Sequence, residues 1–410
     1  MPTHTKSPSC SISLFDDRVL ADPHPTYAAL RAMGPAVYLE HHGVWAVPGY
    51  AEVRTVLNDL TFSSDGGGAL TSQADTRVLS RSVLSSDGEE PARLRHALAR
   101  HVSERSLARL GADFSSRADQ LVAEHTASGS FDAVALARQM VSNTVLSLMG
   151  LPESAQATLV QSTFDVFGPV NASLRQALTA AVAMHTAVHG PADRDTVAPD
   201  SLTGALYAAV DQSKLPQPEA IRLACDYICA SVDTTVFGLA EAILRLAQDS
   251  TQWARLRQDP TRAEAALHEA LRVDAPIQGR GRIVTRTTDL GGVRLEAGQH
   301  LWLLYGSTGR DEREWGETAD TYDLGRPFAD QHLAFGLGSD QCTGMPLALA
   351  LASALLRALA ARGTHLTLAG DPVRAVTHAL RGYSSVPVAV ELSPHTSQPT
   401  PTGSPVRRSR

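Results

Sequence analysis

Apolar residues recur at helical spacing over most of the chain and alternate, strand-like, only in short runs. The longest helical stretch covers 218–248, where Ile221, Ala224, Ile228, Val232, Thr235, Leu239, Ile243 and Leu246 return every three or four positions. Pro218 and Glu219 suit its first turn, where a missing N–H is no loss and a negative charge meets the positive end of the helix. Shorter helical patterns cover 25–33, the arginine-rich segment 92–109, 261–273 and 345–362. Strands are read at 44–49, 281–290, 300–306 and 385–392. The pattern predicts a mainly α protein with small β-sheets. Between 13 and 393 the chain shows no linker and no internal repeat, so one large folded unit is expected there. Residues 1–12 are polar and read as a flexible N-terminus; 394–410, rich in Pro, Ser and Thr and ending in arginines, read as a disordered tail.

Composition narrows the class without naming it. A net charge of −7 gives no reason to expect nucleic acid as a partner. Four cysteines in 410 residues are too few for a disulfide scaffold. Cys225 and Cys229, one helical turn apart, read as small buried apolar groups, because a bridge within one helix strains disulfide geometry. The N-terminus lacks the apolar core of a signal peptide. No uncharged apolar run of about 18 residues is found, so no membrane span is expected and the cytoplasm is the default location.

The segment from Phe335 through Cys342 to Gly344 carries the most chemistry. Gly336, Gly338 and Gly344 permit tight turns and close approach of the backbone to a flat ligand. Cys342 immediately precedes a long apolar helix, whose N-terminal N–H groups favour a thiolate over a thiol. Such a sulfur can ligate iron, act as a nucleophile with a histidine partner, or sit in the core as a plain buried thiol. In the long helix, Ser231, Asp233, Thr234 and Thr235 interrupt an apolar centre. A carboxylate there needs a partner or a task, such as proton delivery beside a hydroxyl; the alternative is a solvated helix face with threonines bonded back to the preceding turn. Glu269 and Arg272, three apart, share a helix face and can pair, and Arg326 could complete a buried network. Arg93, Arg95, Arg100, Arg105 and Arg109, with His96, make one helix strongly basic: a solvated face, or a docking patch for an acidic partner. His185 and His189, four apart on a helix, lack a visible third metal ligand.

In this order and at these separations the motifs resemble the cytochrome P-450 family. The loop Phe335–Gly344 is similar to its F-x-x-G-x-H-x-C-x-G signature, Asp233-Thr234 to the acid–alcohol pair of its central helix, and Glu269, Arg272 and Arg326 to its E-x-x-R triad. DPHPTYAALRAMGP near the start, and RDEREWGETADTYDLGRP before the cysteine, look like soluble bacterial members. The resemblance implies a single triangular helical domain with a β-rich lobe. It implies haem b with Cys342 as axial iron ligand, Phe335, Gly336, Gly344 and Ala230 against the cofactor, and Arg95 and Arg282 on its propionates. Three positions depart from the pattern. Asp340 and Pro91 stand where the family has propionate-binding histidines, and Ser231 replaces the usual glycine of the central helix.

The activity so implied is monooxygenation of a small molecule, by default hydroxylation of a natural-product intermediate. Electrons would come from ferredoxin and ferredoxin reductase, and so indirectly from NAD(P)H. Thr234 would orient bound oxygen and water, and Asp233 would relay protons. On the resemblance, the basic helix docks the redox partner. The substrate pocket is expected from 69–84, 164–170, Val232 and Val236, from Ile277, Gln278 and Gly279, and from 383–385 with Ser384. Two alternatives stand beside this: a haem-free or non-catalytic auxiliary of the same fold, and a haem enzyme that uses peroxide or catalyses a reaction other than monooxygenation.

Overall fold

The structure is a computed structural model and describes residues 8–64, 102–151, 197–212, 214, 216–338, 341–376 and 380–393. Helices of nine or more residues among them are α1 (His24–Met33), α2 (Tyr50–Asn58), α3 (Gly111–Thr126), α4 (Ala133–Met149), α5 (Leu202–Asp211), α6 (Gln217–Gln248), α7 (Ser250–Gln258), α8 (Ala263–Val273) and α9 (Met345–Arg362). Strands are β1 (Ser9–Cys10), β2 (Val37–Leu39), β3 (Val44–Val47), β4 (Phe62–Ser63), β5 (Ser130–Asp132), β6 (Arg280–Val284), β7 (Thr288–Leu290), β8 (Val293–Leu295), β9 (His300–Leu303), β10 (Gly363–Leu368), β11 (Val373–Val376), β12 (Arg381–Ser385) and β13 (Pro387–Leu392). The largest sheet has the order β1-β2-β3-β9-β6-β4; a second has β10-β13-β5, and β11-β12 and β7-β8 are two-stranded.

The helical core forms around α6, which packs on α4 and α8, while α9 packs on α3 and α8. Pro216 caps α6 in an extended conformation, so the helix starts one residue before the expected 218. Gly238 sets the distance between α6 and α8: a β-carbon there would sit 3.0 Å from Leu271 Cδ2 and 3.3 Å from Leu267 Cδ1. Contrary to the expectation of no such run, windows within α6 and α9 are apolar and long enough to cross a membrane, by length and composition. Since 76% and 61% of those windows are buried inside the protein, their apolarity serves the core.

Several expected elements are shorter than their patterns. The run 281–290 is two strands, β6 and β7, separated by Thr285–Thr287. The run 300–306 ends at Leu303, after which Tyr305–Thr308 turns helical. The 261–273 helix begins as a 3-10 turn at Pro260–Arg262. Ser9 and Cys10, read as part of a loose N-terminus, form β1 and pair in parallel with Tyr38 and Leu39. A continuous helix over 92–109 is also corrected. Ser103 is extended (φ −66, ψ 152), and its side chain caps a separate short helix, Glu104–Ala108, by accepting from the Ser106 N–H. Arg105 and Arg109 therefore belong to a different element from the start of that segment. Arg93, Arg95, His96, Arg100, Pro91, His185, His189, Asp340 and the pocket segments 69–84 and 164–170 lie outside the described residues.

Candidate active site

One cleft collects most of the residues singled out for chemistry. It encloses about 1430 Å³, counting the part open to solvent. One wall is the α6 stripe Tyr227, Ser231, Thr234, Thr235 and Gly238, with Ala230 beside it. Other walls come from β6 (Arg280 and Arg282), Ile277, and the loop Ala334–Gly336 and Gln341–Gly344 leading into α9.

The cysteine loop is held by its own backbone. The Gly336 N–H donates to Leu333 O at 2.9 Å, and the Cys342 N–H to Phe335 O at 2.8 Å. Gly336 and Gly338 both sit at φ 69, a left-handed conformation that side chains rarely adopt. This turn brings Cys342 to the N-terminus of α9, exposed to the cleft. Burial in the protein pushes its thiol pKa up, while N–H groups of Gly344 and Met345 bonded to the sulfur act in the opposite direction. A sulfur receiving two backbone N–H groups is arranged as an anion acceptor.

On α6 the acid and the alcohol part company. Thr234 faces the cleft and donates to Ala230 O at 2.6 Å. Successive helical residues are about 100° apart, so Asp233 turns away. Its side chain is buried, and neither carboxyl oxygen has a hydrogen bond among the described residues. Burial pushes its pKa up to about 7, with the charge of Arg138 on α4 working against the rise.

The triad residues meet. Glu269 Oε2 takes Arg272 Nε at 2.7 Å, and its Oε1 takes Arg326 Nε at 2.9 Å and the Asp323 N–H at 3.0 Å. Arg272, essentially buried, also donates to the carbonyls of Ala319 at 2.7 Å and Thr321 at 2.9 Å, and to that of Gly309. Its planar fork is thus saturated, and α8 is tied to the segment that leads to the cysteine loop.

The expected pocket residues divide. Ile277 lines the cleft. Val232 and Val236 are buried in the helical core instead, because they lie on the stripe of α6 shared with Leu239 and Ile243. Gln278 accepts from Tyr27 Oη at 3.0 Å and donates to Ala275 O at 2.6 Å, closed in over Gly306. Gly279 packs under Trp302, where a β-carbon would sit 2.4 Å from Nε1. Ser384 is exposed and donates to Val373 O at 3.2 Å. Sequence reasoning passed over Tyr227 and Arg280, which line the cleft; Arg280 could have been found two residues before Arg282 on a strand. It also passed over His332. That buried ring accepts the Ala334 N–H on Nδ1 at 3.1 Å, which leaves its proton on Nε2, facing His268 Nδ1 at 3.2 Å. Its ring lies 5.5 Å from that of Phe335.

Known proteins resolve what this cleft belongs to. Over 396 residues the chain is 34% identical to cytochrome P450 CYP199A2 of Rhodopseudomonas palustris, covering 94% of this chain and 95% of the relative. The chain belongs to the cytochrome P450 family. Residues 159–359 match the family profile described as Cytochrome P450. The monooxygenase PikC of Streptomyces venezuelae is 29% identical over 398 residues, 94% of this chain and 95% of its own. The crystal structure of CalO2 superposes with a TM-score of 0.82 at 26% identity, over 93% of this chain and 99% of that one. This P450 is therefore an oxidoreductase, a monooxygenase of small molecules that works with haem and usually with redox partners. Its fold is the expected one: mainly helical with small sheets.

The cleft fits haem on its own chemistry. It offers one sulfur that accepts two backbone N–H groups, a loop turned at Gly336 and Gly338, and two guanidinium groups on one wall. Those are the partners required by an iron, a flat ring and carboxylate side chains.

Proposed function

We propose that this P450 hydroxylates a mid-sized natural-product intermediate in the cytoplasm, with electrons from NAD(P)H passed through ferredoxin reductase and ferredoxin. Haem b, held by Cys342, supplies the oxygen-activating chemistry when bound. The observation that carries the reading is the Cys342 sulfur at the start of α9, bonded by the Gly344 and Met345 N–H groups, in one cleft with the Thr234 hydroxyl. Those N–H groups moderate the sulfur's electron donation. Arg282 would hold a cofactor carboxylate, Phe335, Gly336 and Gly344 would border the cofactor, and small Ala230 lines the same cleft and would leave it room. Thr234 positions water and oxygen, and Glu269, Arg272 and Arg326 keep the cysteine loop in place. Substrate selectivity comes from Ile277 and the α6 stripe. A relative 28% identical over 372 residues is named nocardicin C N-oxygenase, which supports a natural-product substrate.

The test is spectral. Reduced protein under carbon monoxide is expected to show the red-shifted band of a thiolate-ligated haem, and Cys342→His is expected to lose it. A wild-type complex without that band would overturn the reading. Thr234→Ala is expected to lower product formed per reductant consumed by about tenfold while substrate binding holds; unchanged coupling would remove Thr234 from proton delivery. One observation favours a second reading, direct use of peroxide: Asp233 turns its carboxyl away from the cleft. Turnover that needs neither reductase nor dioxygen would select it.

A further inference from the structure

Arg280 lines the cleft two residues before Arg282 on β6. Alternation along a strand puts both side chains on one face, with α-carbons roughly 6–7 Å apart. Their register opposite Leu303 and Leu301 of β9 fixes that face within the largest sheet. Among the described residues lining the cleft, these two are the cations. A guanidinium pair on one wall of the cleft that also holds the Cys342 sulfur matches two neighbouring carboxylates on one edge of a flat ring better than a single substrate acid. In sequence, Pro91 and Asp340 occupy the two positions where the P450 pattern has histidines; neither a proline side chain nor an ionised aspartate can donate a hydrogen bond to a carboxylate.

We infer that Arg280 is a second anchor for the haem carboxylates, working beside Arg282 in place of the donors that Pro91 and Asp340 do not provide. The inference rests on the haem reading above and adds a binding residue that the family pattern does not assign.

Haem loss from the full chain to excess apomyoglobin tests it, with protein loaded either with haemin or with haemin dimethyl ester, whose carboxylates are masked. Arg280→Gln is expected to speed loss of haemin by about tenfold, the size of one charge-assisted hydrogen bond, and to leave loss of the ester at the wild-type rate. Arg282→Gln sets the scale. Should Arg280→Gln fail to fold or load, Arg280→Lys carries the test, with haemin loss between wild type and the Arg282→Gln variant and ester loss unchanged. Equal acceleration for both ligands would overturn the assignment, because it would mean lost packing. So would unchanged haemin loss together with weaker spectral binding of carboxylate ligands, which would give Arg280 to the substrate. Wild-type protein that takes up no haemin would instead sink the haem reading, and this one with it.

Discussion

Glu269 on α8 and Asp233 on α6 are both carboxylates taken out of water, at 0% and 1% exposure, and their surroundings are opposite. Glu269 meets two guanidinium groups and a backbone N–H. Among the described residues Asp233 has no hydrogen bond to either oxygen, and Arg138 reaches it through its field. The first is a fastened charge, whose removal leaves partners stranded. The second is a charge the fold resists, so it keeps its proton well above the usual carboxylate range. Burial alone therefore does not say what an acidic residue is for; its partners do.

Breaking the fastened side should have the largest effect. Arg272→Leu takes away one of the two guanidinium partners of buried Glu269 and unties three carbonyls, and is expected to destabilise by about 3–5 kcal/mol, read as a large drop in melting temperature and soluble yield. An unchanged melting temperature would mean the network is ornamental.

Asp233 sharpens the other side through pH. The folded protein holds that proton to about pH 7, whereas a free carboxyl releases it near 3.8. Between those values the native state binds more protons than the unfolded chain, so its stability falls as pH rises. Asp233→Asn removes that slope. The variant should gain on wild type from pH 4 to pH 8, by roughly 2–4 kcal/mol at the upper end, in parallel denaturant titrations. A gap that stays flat with pH would show that Asp233 finds a cationic partner.

Two smaller changes separate core from cleft. Val236→Ala should cost about 2 kcal/mol in stability and leave ligand-induced spectral shifts of the haem unchanged. Ser384→Ala should stay within about 0.5 kcal/mol of wild type and change no ligand affinity; a clear effect on binding would return Ser384 to the pocket.

The same contrast explains what could be read in the sequence. The length of α6, the cysteine loop and the meeting of Glu269 with Arg272 and Arg326 were legible, because each depends on local spacing or on a pair of charges that burial forces together. The facing of α6 was not. Apolar side chains surround that helix because protein covers it on several sides, so periodicity gives no phase to tell Thr234 from Asp233, or Ser231 from Val232. The strand runs were overextended for a related reason: the turn at Thr285–Thr287 holds no glycine or proline to mark it, and after Leu303 the first glycine, Gly306, comes only once the chain has already turned helical. Gln278 and Gly279 were misplaced because their surroundings, Tyr27, Gly306 and Trp302, come from distant parts of the chain.

Gly238 joins the two regions. Having no side chain, it lets the wall of the cleft rest directly on Leu267 and Leu271, the apolar side of the helix that carries Glu269 and Arg272. One added methyl group would make both leucine side chains give way by a few tenths of an ångström, and the strain would fall at once on the Thr234 wall of the cleft and on the helix that is tied to the cysteine loop.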